Sequence, residues 1–567
     1  MTKKENRLSI KAIKYLSPYF ALILLGLALL PYIAGLNGEF VFDDLKLIKD
    51  DPFYQTESNP LQCWNRSFWK ASETQGLYRP VTLFSYWLDA RIFAKFADTA
   101  NGLWSPGFRI INLLLHILIT LMVFKLALRL RFGRVTAFIA SAIFAVHPIH
   151  VEAVTPAFGR GELLCALFLL AGVILHTYRK RSLWYSPAAA LSFMLAFMSK
   201  ENGVIFLPML VVIDLCSGVW ISGFANSAEK KPVILLILKK LIPYLIYLMP
   251  IAVVFLIRHH ALGSWLPLKQ HFDPFVDNPI ALSTLPLRIV GAVRVHGIAL
   301  FKFFVPAILS CDYSYARILP SKSLLDAYAW LTLLLFTATP AIFAKIFPRD
   351  RRKILMLSLL YIIAILPAGN FIIPAGTVFA ERLQYTPSIF LCIFAAMIFM
   401  RISQSLKHPL PLLLFLSICS ALFGRTMLRT LDWRDNYTLW SSAAVTTPQS
   451  LKVWNNYAVQ VGDKRGDYAR AVDACTNAVL IHPKYATGYA NRGLYLAKMG
   501  MFADAEKDFR HAIDLFPNHE SANFNLGVLL ANQGKTDEAR NLWLKIQKIN
   551  PNNKLVNQAL KKSAEER

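Results

Sequence analysis

The sequence predicts an all-α protein: a polytopic bundle of membrane-spanning helices followed by a C-terminal helical-repeat solenoid. Three observations carry this. The 567 residues are 55% hydrophobic, with a mean hydropathy of +0.42, against about 45–50% apolar residues in soluble domains. Apolar runs long enough to cross a bilayer recur as far as residue 423. From Gln449 the composition turns polar and the sequence repeats itself.

Charge narrows the class. There are 61 Lys and Arg against 35 Asp and Glu, a formal charge of +26. The excess lies in short clusters between apolar runs, as cytoplasmic loops require, not along one face as nucleic-acid binding would need. The reading is therefore a membrane protein that binds no nucleic acid. Lys3, Lys4, Arg7, Lys11 and Lys14 precede the first run and no small-residue cleavage site follows it, so that end is expected to stay cytoplasmic. The seven cysteines show no CxxC and no metal-like spacing. Cys165, Cys216, Cys392 and Cys419 fall in apolar runs and read as small core residues. Cys63 and Cys311 fall in loops on the same predicted side, and a disulfide between them stays open.

Taken in order, residues 1–35 hold the N-terminal tail and first span, at about 16–33. An extracytoplasmic loop, 36–105, includes a helical pattern over 80–96 expected to lie in the interface. Residues 106–425 carry the remaining spans: about 108–128, 135–146, 161–177, 183–198, 204–219, 241–257, 324–346, 354–368, 387–400 and 410–423. A second long loop, 258–325, contains an apolar stretch with Arg288, Arg294, His296 and Lys302. Burying those charges in a span would cost several kcal/mol each, so it reads as an interfacial helix. The total is about eleven spans. Every Lys/Arg cluster then falls on the N-terminal side, and the C-terminus falls outside. Residues 426–449 read as a linker and 450–567 as the repeats.

In the repeats, Pro448, Pro483, Pro517 and Pro551 recur at spacings of 35, 34 and 34. Ala471, Ala505 and Ala539, and the pair Gly493 and Gly527, recur every 34. Small residues where helices cross and proline after the second helix form the tetratricopeptide (TPR) pattern. Three repeats plus a terminal helix from Asn553 make a short solenoid. Its concave groove suits an acceptor protein or peptide; a spacer or oligomerisation role is the alternative.

The same topology gathers ionisable residues on the outer face. Asp43 and Asp44 follow the first span in Glu39-Phe40-Val41-Phe42-Asp43-Asp44. An ionisable pair at the mouth of a span points to a functional site. The plain alternative is a cap for a surface helix through Leu45, Leu47 and Ile48. His147, His150 and Glu152 lie within six positions; Lys200 and Glu201, and Glu381 and Arg382, end or begin other spans.

The ordered set Phe42-Asp43-Asp44, Tyr78-Arg79-Pro80-Val81-Thr82, His147-Pro148-Ile149-His150-Val151-Glu152, Gly159-Arg160, Ser199-Lys200-Glu201 and Ala380-Glu381-Arg382, with C-terminal repeats, resembles the transmembrane and TPR-containing O-mannosyltransferases. More broadly it looks like the GT-C glycosyltransferases. The resemblance implies transfer of a sugar, mannose or a similar hexose, from a polyprenyl-phosphate donor to a Ser or Thr hydroxyl with inversion. Asp43 is then the candidate general base, and Asp44 holds sugar hydroxyls, tunes Asp43 or exchanges roles with it. Arg79, Arg160, Lys200 and Arg382 are candidates to neutralise the donor phosphate. His147, His150, Glu152, Glu201 and Glu381 are candidates to hold sugar or donor. A divalent cation is not favoured, because no ligand spacing is diagnostic. The short loops and small repeat domain favour a bacterial inner membrane with periplasmic repeats over an endoplasmic reticulum membrane with lumenal ones. Two rival readings remain: a lipid or polysaccharide glycosyltransferase of the same fold, and a non-catalytic membrane scaffold. A transporter fits less well, since its charged site would sit near the midplane.

Overall fold

Inside hydrocarbon a segment must satisfy its own backbone, and an isolated apolar run does so as a helix. In the computed structural model the described residues are 17–69, 76–97, 102–217, 233–265, 274–405 and 410–565, and every regular element among them is helical. The basic residues Lys3 to Lys14, Lys230, Lys231 and Lys407 lie outside that set.

Among the described residues seven helices are long and apolar enough to span a bilayer: Ser17–Gly35, Ser105–Arg129, Ala157–Thr177, Tyr244–Leu262, Ala327–Ile346, Glu381–Ser405 and Leu410–Asp432. An eighth candidate is the pair Arg134–Val146 and Pro148–Val154, bent by 53°. The other three expected spans are helices of 15, 11 and 15 residues: Tyr185–Ser199, Phe206–Cys216 and Arg351–Ile365. A 15-residue helix covers about 22 Å, short of roughly 30 Å of hydrocarbon. By length and composition, seven helices, or eight with the bent pair, meet the measure among the described residues; these three fall short of it. The charged stretch Leu285–Phe304 is a 20-residue helix and is not among the apolar spans.

Local chemistry sets the breaks that matter for the site. Pro148 has no N–H to continue helix Arg134–Val146, and His147 Nδ1 accepts the N–H of Ile149 at 3.2 Å. The chain bends there and carries Glu152 into the buried interior. Pro80 opens helix Pro80–Ile92, where a missing N–H costs nothing. That helix buries Thr82, Leu83, Tyr86, Asp89 and Ala90 against protein.

The chain forms two compact units. The helices above belong to the first. The second comprises Phe275–Pro279, Ser310–Leu319 and Asn436–Arg567. Residues 426–449, read as a linker, are largely helical: the end of Leu410–Asp432, then Asn436–Thr446. Three antiparallel helix pairs and a last helix, Lys554–Glu565, follow from Leu451. Ala471, Ala505 and Ala539 are fully buried. A Cβ on Gly493 would stand 2.9 Å from the Phe509 ring, and one on Gly527 would fall on the Trp543 indole. These close approaches explain the 34-residue recurrence of small residues.

The first repeat is finished by the two loop pieces. Tyr315 N–H bonds Val276 O at 2.9 Å, Ala316 N–H bonds Gln449 O at 3.0 Å, and Leu451 N–H bonds Tyr315 O at 2.8 Å. Val276 is buried with Leu451 and Ala478. Asp312 Oδ1 accepts the hydroxyls of Ser314 and Ser450 at 2.6 and 2.7 Å. All seven cysteines are free, Cys63 and Cys311 included.

Candidate functional site

The turn after the first helix is built around two carboxylates with opposite surroundings. Phe42 sits at φ 53°, in the left-handed region that a bulky residue rarely enters. Asp44 is fully buried and accepts three backbone N–H groups, from Val41 at 3.2 Å, Ala157 at 3.3 Å and Phe158 at 2.6 Å. Burial pushes its carboxyl up to about 6, against the Arg109 charge and those three N–H groups. Asp43 has a side chain 32% exposed, with Oδ2 3.8 Å from Arg382 Nη2. A helical turn, Leu45–Lys49, does follow, but no side-chain hydrogen bond from Asp44 caps it. Sealed from solvent, Asp44 holds the turn and cannot grip a sugar in this arrangement.

Three of the predicted cations line up here, each on a carboxylate. Arg382 lies over the Phe158 ring, 5.0 Å from its centre, and pairs with Glu152, which also accepts the Arg382 backbone N–H at 3.0 Å. Arg79 holds Glu201 with Nη2 at 2.7 Å and Nε at 3.1 Å. Lys200 pairs with Glu162. The pairs feel one another: Arg382 interacts with Glu162, and Lys200 with both Arg79 and Arg382. Glu381, fully buried, sits 3.6 Å from Arg429 and acts on Glu152. Burial raises Glu201, but the Arg79 charge and hydrogen bonds outweigh it and hold that carboxyl below its ordinary range. Burial lowers the Lys200 ammonium despite Glu162. Pairing is what makes so many buried charges tolerable.

The structure does not bring the remaining predicted residues to that cluster. Arg160 is fully buried and bonds Asp89 at 2.7 Å, Phe108 O at 2.8 Å and Asn112. It ties helix Ala157–Thr177 to its neighbours and is not presented to a phosphate. His147 donates Nε2–H to Phe303 O at 2.8 Å and stacks on that ring. His150 bonds Phe144 O at 2.9 Å and Ser388 at 2.7 Å. With His116 and Tyr385 they form a buried hydrogen-bonded core of rings, not a ligand set. Among the described residues no group of three or more His, Cys, Asp or Glu side chains is placed to hold a metal ion.

Sequence reading missed Glu162, the partner of Lys200, and Arg109, which sits beside Asp44 at 1% exposure. It also missed Asp89 and Arg429. The available signal was a single charged residue inside or at the end of an apolar run, the same cue that singled out Asp43.

Comparison with known proteins follows the same line. A family model described as a tetratricopeptide repeat matches residues 490–553. The chain is 29% identical to the protein O-mannosyl-transferase F38B6.6 of Caenorhabditis elegans, over 82% of this chain and 63% of that one. It is 25% identical to the protein O-mannosyl-transferase TMTC3 of Homo sapiens, over 93% of this chain and 60% of that one. The chain thus spans about three-fifths of the length of these curated relatives. A crystal structure of the Archaeoglobus fulgidus oligosaccharyltransferase aligns over 81% of this chain and 59% of that one at 13% identity, with a TM-score of 0.39. In its relatives and its repeats the chain is similar to the protein O-mannosyl-transferases.

Proposed function

We propose that this protein is a membrane glycosyltransferase that moves a hexose, mannose or a close analogue, from a polyprenyl-phosphate carrier to a Ser or Thr hydroxyl of a polypeptide. One observation carries the reading: a carboxylate that reaches solvent, Asp43, stands 3.8 Å from a cation, Arg382, inside a cluster of partly buried ion pairs. A proton acceptor and an anion site are thereby adjacent, which is what attack on a phosphate-activated sugar requires.

In the proposed reaction Asp43 takes the hydroxyl proton as the acceptor oxygen bonds to the anomeric carbon. The bond from that carbon to the phosphate oxygen breaks on the opposite face, so configuration inverts. Polyprenyl phosphate leaves with its charge met by Arg382, helped by Arg79 and Lys200. Glu152, Glu162 and Glu201 keep those cations in place between turnovers. The apolar helices give the carrier's tail a path in the bilayer. The repeats engage the acceptor polypeptide; successive first helices of the pairs touch one another, so the ribbon curves toward them. We assign the site and the repeats to the non-cytoplasmic side, the periplasm in a bacterium or the lumen of the endoplasmic reticulum.

The test is mass spectrometry of membrane and exported proteins from cells carrying the wild-type chain, Asp43→Asn, or neither. Hexose on Ser or Thr should depend on the wild-type chain and vanish with Asp43→Asn. Unchanged modification in all three would end the proposal.

A further inference from the structure

Arg109 is a buried cation with no place in the reaction just described. It lies in the second turn of helix Ser105–Arg129 and is 1% exposed. Its Nη1 donates to Gly35 O at 2.8 Å, and its Nη2 donates to Trp433 O at 2.9 Å and to Glu39 O. Gly35 ends the first membrane helix and Trp433 directly follows the last, Leu410–Asp432, and carbonyls at helix C-termini lack intrahelical partners and favour a cation. A guanidinium holds its N–H donors in a rigid planar fork on separate nitrogens, so it can meet carbonyls spread to either side of it. The carboxylate turn wraps this fork. A Cβ on Gly38 would fall on the guanidinium, so only glycine leaves it room. Glu39 N–H then closes onto Arg434 O at 2.7 Å.

The far end of the same turn is pinned by Asp44 on the amides of Ala157 and Phe158. Only residues 40–43 lie between the two anchors, and Phe42 is already forced left-handed. We propose that Arg109 is a positioning residue: threaded through the turn at Gly38, it fixes the anchor from which Asp43 is aimed. This rests on the transferase reading above, in which Asp43 is the base. Arg109 touches neither substrate nor reacting atom.

The experiment uses the full chain in detergent, with Arg109→Gln, Arg109→Lys, Gly38→Ala, wild type and Asp43→Asn. Binding of polyprenyl-phosphate mannose counts competent sites, and mannose transfer to a Ser/Thr peptide is measured per site. Arg109→Gln and Gly38→Ala should each lower kcat per site on the order of 10²-fold with donor affinity unchanged, as a displacement of about 1 Å does. Arg109→Lys should fall between, because an ammonium cannot fork across three carbonyls. Amide hydrogen exchange over residues 38–44 should quicken in both the Gln and Ala variants. Wild-type kcat per site, unchanged exchange, or activity lost only in step with binding sites would overturn the inference. Activity retained by Asp43→Asn would instead strike the transferase reading, leaving exchange to judge the clamp by itself.

Discussion

Phe158 gives its backbone N–H to Asp44 at 2.6 Å while its ring carries the Arg382 guanidinium at 5.0 Å, the same guanidinium that reaches Asp43. One residue therefore ties the buried carboxylate to the open one. The two should fail differently. Asp43→Asn is expected to leave thermal unfolding in detergent unchanged and to cut transfer about 10²–10⁴-fold. Asp44→Ala leaves three buried N–H groups without an acceptor, at about 1–3 kcal/mol each, so its melting temperature should drop sharply. Equal melting of the two variants would contradict this division.

Asp44 also sets a pH dependence. Its carboxyl is raised by burial to about 6 from an ordinary value near 3.8. The folded protein holds this proton more tightly than the unfolded chain, so the contribution is full below pH 3.8 and is lost as pH rises through about 6. Melting temperatures of wild type and Asp44→Asn, taken from pH 4 to 8, should shift in the variant's favour up to about pH 6 and then run parallel. A constant offset would show that Asp44 does not titrate in this range.

The pair Arg382–Glu152 can be separated from its chemistry. Removing only the cation, in Arg382→Met, strands a buried carboxylate and should destabilise by about 3–5 kcal/mol. Adding Glu152→Gln should restore most of that stability. Transfer should stay lost in the double variant, since the cation beside Asp43 is gone. Recovery of transfer would assign the phosphate to other residues.

The repeats are predicted to need their borrowed loop. Residues 436–567 alone lack Val276 and Tyr315, which close the first helix pair. That fragment should expose Leu451 and Ala478, melt early and bind a synthetic 310–319 peptide weakly at best. Asp312→Ala in the full chain should loosen hydrogen exchange at Ser450 while sparing the last pair. A fragment as stable as the intact unit would refute the dependence.

Much of this was legible in the sequence, for physical reasons. Apolar runs and a 34-residue period are local patterns, and each expected run became a helix and each repeat a helix pair. Pairing was not legible. Arg160 and Arg382 look alike in sequence, yet the first meets Asp89 and the second reaches Asp43. His150 meets Ser388 across 238 positions, a contact no spacing announces. Arg109 offered only the cue of one charge inside an apolar run; its role was not legible, because its partners are carbonyls, which every residue has.

Because loop piece Ser310–Leu319 and the C-terminal repeats are one folded body, the chain between them must leave and re-enter the same aqueous space. It can do that only by traversing the lipid an even number of times. Three of the intervening helices are full length, so the prediction is that the 15-residue Arg351–Ile365 makes the fourth passage, with the bilayer thinned around it. A thiol probe that stays on one side of the membrane should label a cysteine at Ser323 and not one at Arg349.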